Sequence, residues 1–219
     1  VNFVQDYMAM PVIQGEKSEN ERFPGAENTY CIEAMMQDKK ALQAGTSHFL
    51  GQNFAKAYDI GYANEDGGIS HVYGTSWGVT TRMIGAMAMV HGDDDGLCLP
   101  PRVSPLQVVI LPINPKQDPE VETKILAVEQ QLKALTYQGK GVRVRIDRRQ
   151  MRGGAKAWDW VKKGIPLRIE IGPKDIEKQQ VCVSRRDLPY GEKQFMPLAN
   201  LHEIVEMLES IHQSMYTRA

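Results

Sequence analysis

The second half of the chain has the clearest hydrophobic pattern. Residues 107–111 (Gln-Val-Val-Ile-Leu) are a short β-branched run ended by Pro112, which predicts a buried strand. Val121, Ile125, Val128, Leu132 and Leu135 then recur at helical spacing, behind Asp118 as a cap and Pro119 in the first turn. Gly139 or Gly141 ends that helix. In residues 142–146, Val142, Val144 and Ile146 point one way and Arg143 and Arg145 the other, as in a strand. A short helix at 155–163, a strand at 167–171, a turn at Gly172-Pro173-Lys174, a strand near 181–184 and a short one at 195–198 follow. The last helix carries Leu201, Ile204, Val205, Leu208, Ile211 and Met215 on one face. The order β-α-β-α-β-β-β-α predicts a small α/β domain with a mixed sheet.

The first 103 residues read differently. Strands are predicted at 29–36, 40–44, 57–62 and 69–73, a short helix at 51–57, and one long helix at 79–91. This is a strand-heavy half, like part of a sheet whose remainder is not in the chain. Between the halves lies Leu99-Pro100-Pro101-Arg102-Val103-Ser104-Pro105, which continues neither a helix nor a central strand. The domain boundary is placed there, at 103/104.

The 219 residues leave room for two domains of roughly 100 residues each. No window approaches the ~18 uninterrupted apolar residues of a membrane helix. The opening Val1-Asn2-Phe3-Val4-Gln5-Asp6 has no basic segment followed by an apolar one, which argues against a secretory signal, and the missing initiator Met points either to a piece of a longer protein or to processing. Cys31, Cys98 and Cys182 are odd in number and far apart, so free thiols in a reducing cytoplasm are expected rather than a zinc pair or a disulfide framework.

The net charge of −1 hides a split. Residues 1–103 carry 7 Lys/Arg against 13 Asp/Glu, whereas 104–219 carry 19 against 14. Ten cations but only Asp147 and Asp159 lie between Lys140 and Arg168. Such a run either faces a polyanion, nucleic acid being the usual one, or forms a solvated basic surface.

Two segments of the first half are chemically unusual. Residues 43–53 (Gln-Ala-Gly-Thr-Ser-His-Phe-Leu-Gly-Gln-Asn) follow an apolar strand as a polar, glycine-punctuated stretch. They either aim Gln43, Thr46 and His48 into a cleft or form an ordinary loop before a helix. In residues 74–90, Arg82 is the only charged side chain, near the start of a helix that is apolar nearly all round. That pattern implies burial, and a buried guanidinium needs an anion. The partner is either a phosphate, favoured by Ser76, Gly78, Thr80 and Thr81 nearby, or an internal carboxylate. No P-loop or H-E-x-x-H motif is present. Asp93-Asp94-Asp95 reads as an exposed turn rather than a magnesium site, and His71, His91, His202 and His212 read as isolated surface or core residues.

Residues 43–54 and 76–85, His91-Gly92-Asp93, Leu99-Pro100-Pro101-Arg102-Val103, Val142-Arg143-Val144, Trp160, residues 163–168 and Gly172-Pro173-Lys174-Asp175 together resemble the prolyl-tRNA synthetases of the archaeal/eukaryotic-like type. The resemblance spans essentially all 219 residues in one order. It implies an α+β and α/β architecture: residues 1–103 as the C-terminal part of a class II synthetase antiparallel-sheet catalytic domain, and 104–219 as an α/β anticodon-binding domain with a mixed sheet. It also implies that proline and ATP, with Mg2+, react to prolyl-adenylate, that the prolyl group passes to tRNA-Pro, and that the intact enzyme is a cytoplasmic homodimer without zinc in this portion.

Carried onto this chain, the resemblance makes Arg82 the catalytic arginine that grips the ATP γ-phosphate, with Gln43 and Thr80 beside the nucleotide. Thr46, His48, Ser76, Trp77 and Gly78 match the wall of the proline pocket. Lys156, Lys163, Arg168, Glu170, Lys174 and Asp175 match anticodon contacts. Ala44 stands in place of a common glycine and Phe49 in place of a common histidine. The first two class II motifs precede Val1 in the family, and the type normally continues past Ala219, so the chain alone is expected not to aminoacylate. The alternatives are a non-catalytic tRNA-binding or regulatory module derived from a synthetase, and a small nucleotide-binding enzyme unrelated to tRNA.

Overall fold

The computed structural model describes residues 1–113 and 119–219. The chain forms two compact units, one of residues 1–4 and 10–90, the other of residues 5–9 and 91–219.

In the first unit, β1 (Val12–Glu16), β2 (Asn28–Met35), β3 (Ala41–Gly51) and β6 (Gly74–Gly78) form a four-stranded sheet in the order β1-β2-β3-β6. Every pairing is antiparallel. A short helix α1 (Asn53–Ala57) and the hairpin β4 (Gly61–Ala63) with β5 (Ile69–His71) lie between β3 and β6. Helix α2 (Arg82–His91) closes the unit.

Several expectations change here. The stretch from Gln43 onward is not a loop: β3 runs to Gly51, whose positive φ of +54° ends it where a Cβ would collide with the Glu27 side chain. Residues 74–78 form an unexpected strand, and the strand sought at 57–62 is reduced to β4, because Asp59 turns the chain at φ +53°. Helix α2 is not buried all round. Met83, Ala86 and Val90 form one buried stripe, while Arg82, Ile84 and Met89 are exposed. The inference that Arg82 is buried therefore fails: an i, i+3, i+7 stripe suffices to hold the helix.

In the second unit a five-stranded mixed sheet runs β10-β7-β11-β12-β13, with β10 (Val144–Ile146), β7 (Val108–Pro112) and β11 (Leu167–Ile171) parallel. The strands β12 (Gln180–Arg185) and β13 (Gln194–Pro197) are added antiparallel. One face packs Val108, Ile110, Leu167, Ile169, Val181 and Val183 with residues from α3 (Pro119–Ala134) and α6 (Ile204–Arg218). The other packs Val109 and Leu111 against Ala157 and Trp160 of α4 (Gly153–Lys162). This is the expected α/β order with one addition, a short helix α5 (Pro173–Glu177) where a turn was predicted. The strand expected at 142–146 is shorter, because β8 (Thr136–Tyr137) and β9 (Lys140–Gly141) form a tight hairpin on Gln138 and Gly139, both with positive φ. The last α-helix begins only at Ile204, after a 3-10 turn at Leu198–Glu203. The cap expected at Asp118 lies outside the described residues.

Residues 91–103, assigned by sequence to the first half, pack within the second unit. Cys98 is buried in the second unit's core, the Leu97 N–H donates to the Lys162 carbonyl at 3.0 Å, and the Leu99 N–H donates to that of Gly164 at 3.1 Å. The proline-rich joint is pinned by Arg143, whose Nε and Nη2 donate to the carbonyls of Ser104 (2.9 Å) and Pro101 (3.2 Å). All three cysteines are free, Cys98 and Cys182 buried and Cys31 half-buried.

Candidate functional site

In the first unit the site is one face of the β2-β3-β6 sheet. Thr46 opposes Cys31 on β2 and Gly78 on β6, and His48 opposes Thr29 and Ser76. Directly opposed residues of a ladder share a face, so Thr46, His48, Ser76 and Gly78 stand together. Gln43 is three residues before Thr46, which in a regular strand would place it on the other face. The β2-β3 register shifts between Ile32 and Glu33, however, leaving buried Ala44 as an extra residue and pairing Gln43 with Glu33. This β-bulge returns Gln43 to the face of Thr46 and His48.

Trp77 opposes Ser47, so it lies on the opposite face and is 77% exposed. Of the five residues assigned to a proline pocket, four share a face and Trp77 does not join them. A cavity of about 480 Å³ is lined by residues of both rows of these strands: Gln14, Glu16, Tyr30, Ile32, Gly45 and Ser47 from that side, and Gly15, Cys31 and Thr46 from the other.

His48 is held in a defined way. Its Nδ1 lies 3.0 Å from Thr29 Oγ1, which itself accepts the Phe23 N–H at 3.2 Å. Accepting from Phe23 leaves the hydroxyl proton of Thr29 free to be donated to Nδ1, an arrangement that suits the Nε2–H tautomer of the neutral ring. The Phe23 ring lies 4.9 Å from the imidazole, centroid to centroid. Neither Phe23 nor the buried Thr29 carried a signal for this role in the sequence, because Thr29 acts from the neighbouring strand and Phe23 from the loop before it.

Arg82 opens α2. Its backbone N–H donates to Thr80 Oγ1 at 3.2 Å, and its Nη1 donates to the Gln43 carbonyl at 3.3 Å. It makes no ion pair among the described residues. Of the two partners considered for it, the internal carboxylate is therefore not found, and the guanidinium is exposed beside Gln43 and Thr80.

In the second unit the basic run is not a free stripe. Its centre is Asp147, whose side chain is 1% exposed. Asp147 accepts from Trp160 Nε1 at 2.8 Å and from Arg149 at both carboxylate oxygens, while Lys156 Nζ donates to its backbone carbonyl at 3.1 Å. Burial alone would raise this carboxyl, but the hydrogen bonds from Arg149 and Trp160 outweigh it and hold it well below the usual range. Lys156 is thus buried and committed to structure, and Lys163 pairs with Asp159 at 2.9 Å above the Trp160 ring. Asp93 is likewise committed, accepting from Arg186 Nη1 at 2.7 Å, so the acidic run is a tied turn.

Arg168, Glu170 and Asp175 sit on or beside β11. Arg168 is 4% exposed and its Nη1 has no hydrogen-bond partner among the described residues; burial, then repulsion from Arg186, lowers its pKa. Glu170 accepts from Lys193 Nζ at 2.7 Å, Asp175 accepts the Gly172 N–H at 3.0 Å, and Lys174 is exposed. Tyr190 meets Trp158 edge-on with centroids 5.2 Å apart. The roles of Asp147, Lys193 and Tyr190 were not legible, since each depends on a contact with another element, α4 for Asp147 and Tyr190 and β11 for Lys193.

Among the described residues, no group of three or more His, Cys, Asp or Glu side chains is placed to hold a metal ion. No helix among them is long and apolar enough to cross a membrane.

An anticodon binding domain model matches residues 107–208, the span of the five-stranded sheet and most of its helices. Over 222 residues the chain is 55% identical to proline–tRNA ligase 2 of Anaeromyxobacter dehalogenans, covering 99% of this chain and 43% of that protein. It is 52% identical to the proline–tRNA ligases of Akkermansia muciniphila and Protochlamydia amoebophila, covering 99% and 100% of this chain and 44% of each relative. The chain therefore spans less than half the length of these curated relatives. With that identity along its whole length and an anticodon binding domain in its second unit, the chain belongs to the proline–tRNA ligase family.

Proposed function

We propose that this chain is the part of a proline–tRNA ligase that completes the ATP- and proline-binding face and binds the anticodon of tRNA-Pro. The observation that carries the reading is the gathering of Gln43, Thr46, His48, Ser76 and Gly78 on one sheet face, with Arg82 reaching Gln43 from the start of α2. In this reading residues 1–103 belong to the catalytic part, with 91–103 packed into the second unit as its connection, and 104–219 to the anticodon-binding domain.

In this reading ATP lies along Gln43 and Thr80, with the Arg82 guanidinium on its γ-phosphate. An exposed arginine free of carboxylates can fork onto a phosphate, neutralising charge as pyrophosphate leaves. Mg2+ enters with ATP, as it is held mainly through substrate phosphates and water. His48, oriented by Thr29, and Thr46 present polar groups to the prolyl moiety, with Ser76 and the open backbone of Gly78 opposite them. Trp77 stands on the other face of the same strand, largely exposed.

On the second unit, Arg168, Lys163 and Lys174 attract the anticodon loop, and Glu170 and Asp175 offer carboxylate acceptors to base N–H groups. The whole enzyme works in the cytoplasm as a homodimer, and the 219-residue chain alone does not activate proline. A proline-dependent ATP–pyrophosphate exchange assay tests this: the longer protein exchanges and the chain alone does not. A steady prolyl-adenylate signal from the chain alone would overturn the second statement, and no loss of exchange in an Arg82→Ala variant of the longer protein would overturn the first. The alternative, a tRNA-binding module without catalysis, would bind tRNA-Pro in a longer protein that never exchanges.

A further inference from the structure

Across the outer strands of the second unit, one ladder row runs Glu170 on β11, Cys182 on β12 and Phe195 on β13. The three side chains therefore stand side by side on one face, with Arg168 and Ser184 in an adjacent row. Val109 and Leu111 oppose Arg168 and Glu170, so this is the face that α4 covers over β7. The outer end of the row remains open: Cys182 is buried, but Phe195 is 60% exposed in the middle of an ordered strand. Lys193 reaches back from the β12–β13 connection to Glu170, placing one donor and one acceptor in this row.

An exposed aromatic ring here does no packing work that the fold requires. A protein-docking patch would be larger and contiguously apolar, yet the neighbours of Phe195 along the strand are Lys193, Gln194 and Pro197, with Met196 turned into the core. Arg168 supplies a second, independent observation. Its guanidinium is buried in an adjacent row with Nη1 unpartnered among the described residues, a cost that an anionic ligand relieves.

We propose that Phe195 is a stacking platform for one unpaired base of the RNA bound by this unit, with the Glu170–Lys193 pair at the edge of that base. The inference rests on the RNA-binding reading above and deepens it by naming a base-contacting side chain. An aromatic face accepts any base, because every base presents a π-surface, and the ion pair beside it offers a carboxylate acceptor and an ammonium donor to the base edge.

The test uses the 219-residue chain and a fluorescently labelled tRNA-Pro transcript, with binding measured at fixed salt for the wild type and for Phe195→Ala, Phe195→Leu and Phe195→Tyr. Stacking predicts that Ala and Leu weaken binding by about tenfold or more, while Tyr stays within about threefold of wild type. The salt dependence of the Ala variant should match wild type, because no phosphate contact is lost. Leu and Tyr both preserve bulk at this site, so their difference decides the matter even where Ala perturbs the fold. If Leu binds as tightly as wild type, the platform is overturned while RNA binding stands. If the wild-type chain does not bind tRNA-Pro at all, the RNA-binding reading fails and the platform fails with it.

Discussion

Arg82 and Gln43 are 39 residues apart and meet through a hydrogen bond from Nη1 to the carbonyl oxygen at 3.3 Å. The contact ties the first turn of α2 to β3 at the residue beside its bulge. A backbone carbonyl orients a guanidinium without neutralising it, so the charge remains available to a ligand. This is the opposite of a structural ion pair, and it makes the arginine testable without threatening the fold.

Replacing Arg82 with Ala should leave the melting temperature of the chain nearly unchanged, because the side chain is exposed and unpaired with any carboxylate among the described residues. In the longer protein the same change should lower proline-dependent pyrophosphate exchange by roughly 100-fold or more, the usual loss when a group stabilising developing charge is removed. Thermal melts and exchange kinetics on the two proteins check both halves.

The His48 ring should be held as the Nε2–H tautomer by Thr29. Thr29→Val keeps the shape and removes the hydroxyl, costing about 1 kcal/mol of stability and freeing the ring to exchange tautomers. Nitrogen-detected NMR of the imidazole reads this directly: one dominant tautomer in the wild type and a mixture in the variant. The same mixture in both proteins would contradict the assignment.

Asp147 should be among the most sensitive positions of the second unit. Asp147→Ala leaves the buried Trp160 indole N–H and the Arg149 guanidinium without their acceptor, and a loss of about 3 kcal/mol is expected. Denaturant unfolding measures the loss, and a change near 0.5 kcal/mol or less would show that the hub is not structural.

Acid should destabilise the second unit before most carboxylates titrate. His91 is buried, its Nε2 donates to the Met8 carbonyl at 2.8 Å, and burial lowers its pKa to about 4. The unfolded chain binds the proton near pH 6.5, so as pH falls from there towards 4 the unfolded state takes up more protons and stability drops, by about 3 kcal/mol in all. A His91→Gln variant should lose that part of the pH dependence. Unfolding midpoints measured between pH 7 and 4 compare the two.

Much of this architecture was legible in the sequence because it follows local periods. The β-branched run at β7, the apolar spacing of α3 and the alternation through Val144 and Ile146 each report a face that must be buried. What escaped depends on pairing across strands. The bulge at Ala44 leaves no mark in composition, yet it decides that Gln43 joins Thr46 and His48. The resemblance put Trp77 in the pocket wall with Ser76, and strand alternation sets these two on opposite faces of β6. The run of cations looked like a patch because sequence does not show that Asp147 and Asp159 pair with Arg149 and Lys163 and that Lys156 is held on the Asp147 carbonyl. Arg82 misled in the reverse sense: an almost wholly apolar helix suggested burial, but only one stripe of it is covered.

The most direct measurement is the affinity of the 219-residue chain for tRNA-Pro, set against the same transcript with its anticodon replaced, across a salt series. The account predicts tighter binding to the native anticodon, an affinity that falls steeply as salt rises, and a marked loss on charge reversal at Lys163 and Lys174. Equal affinity for both transcripts, or binding indifferent to salt and to those reversals, would contradict it.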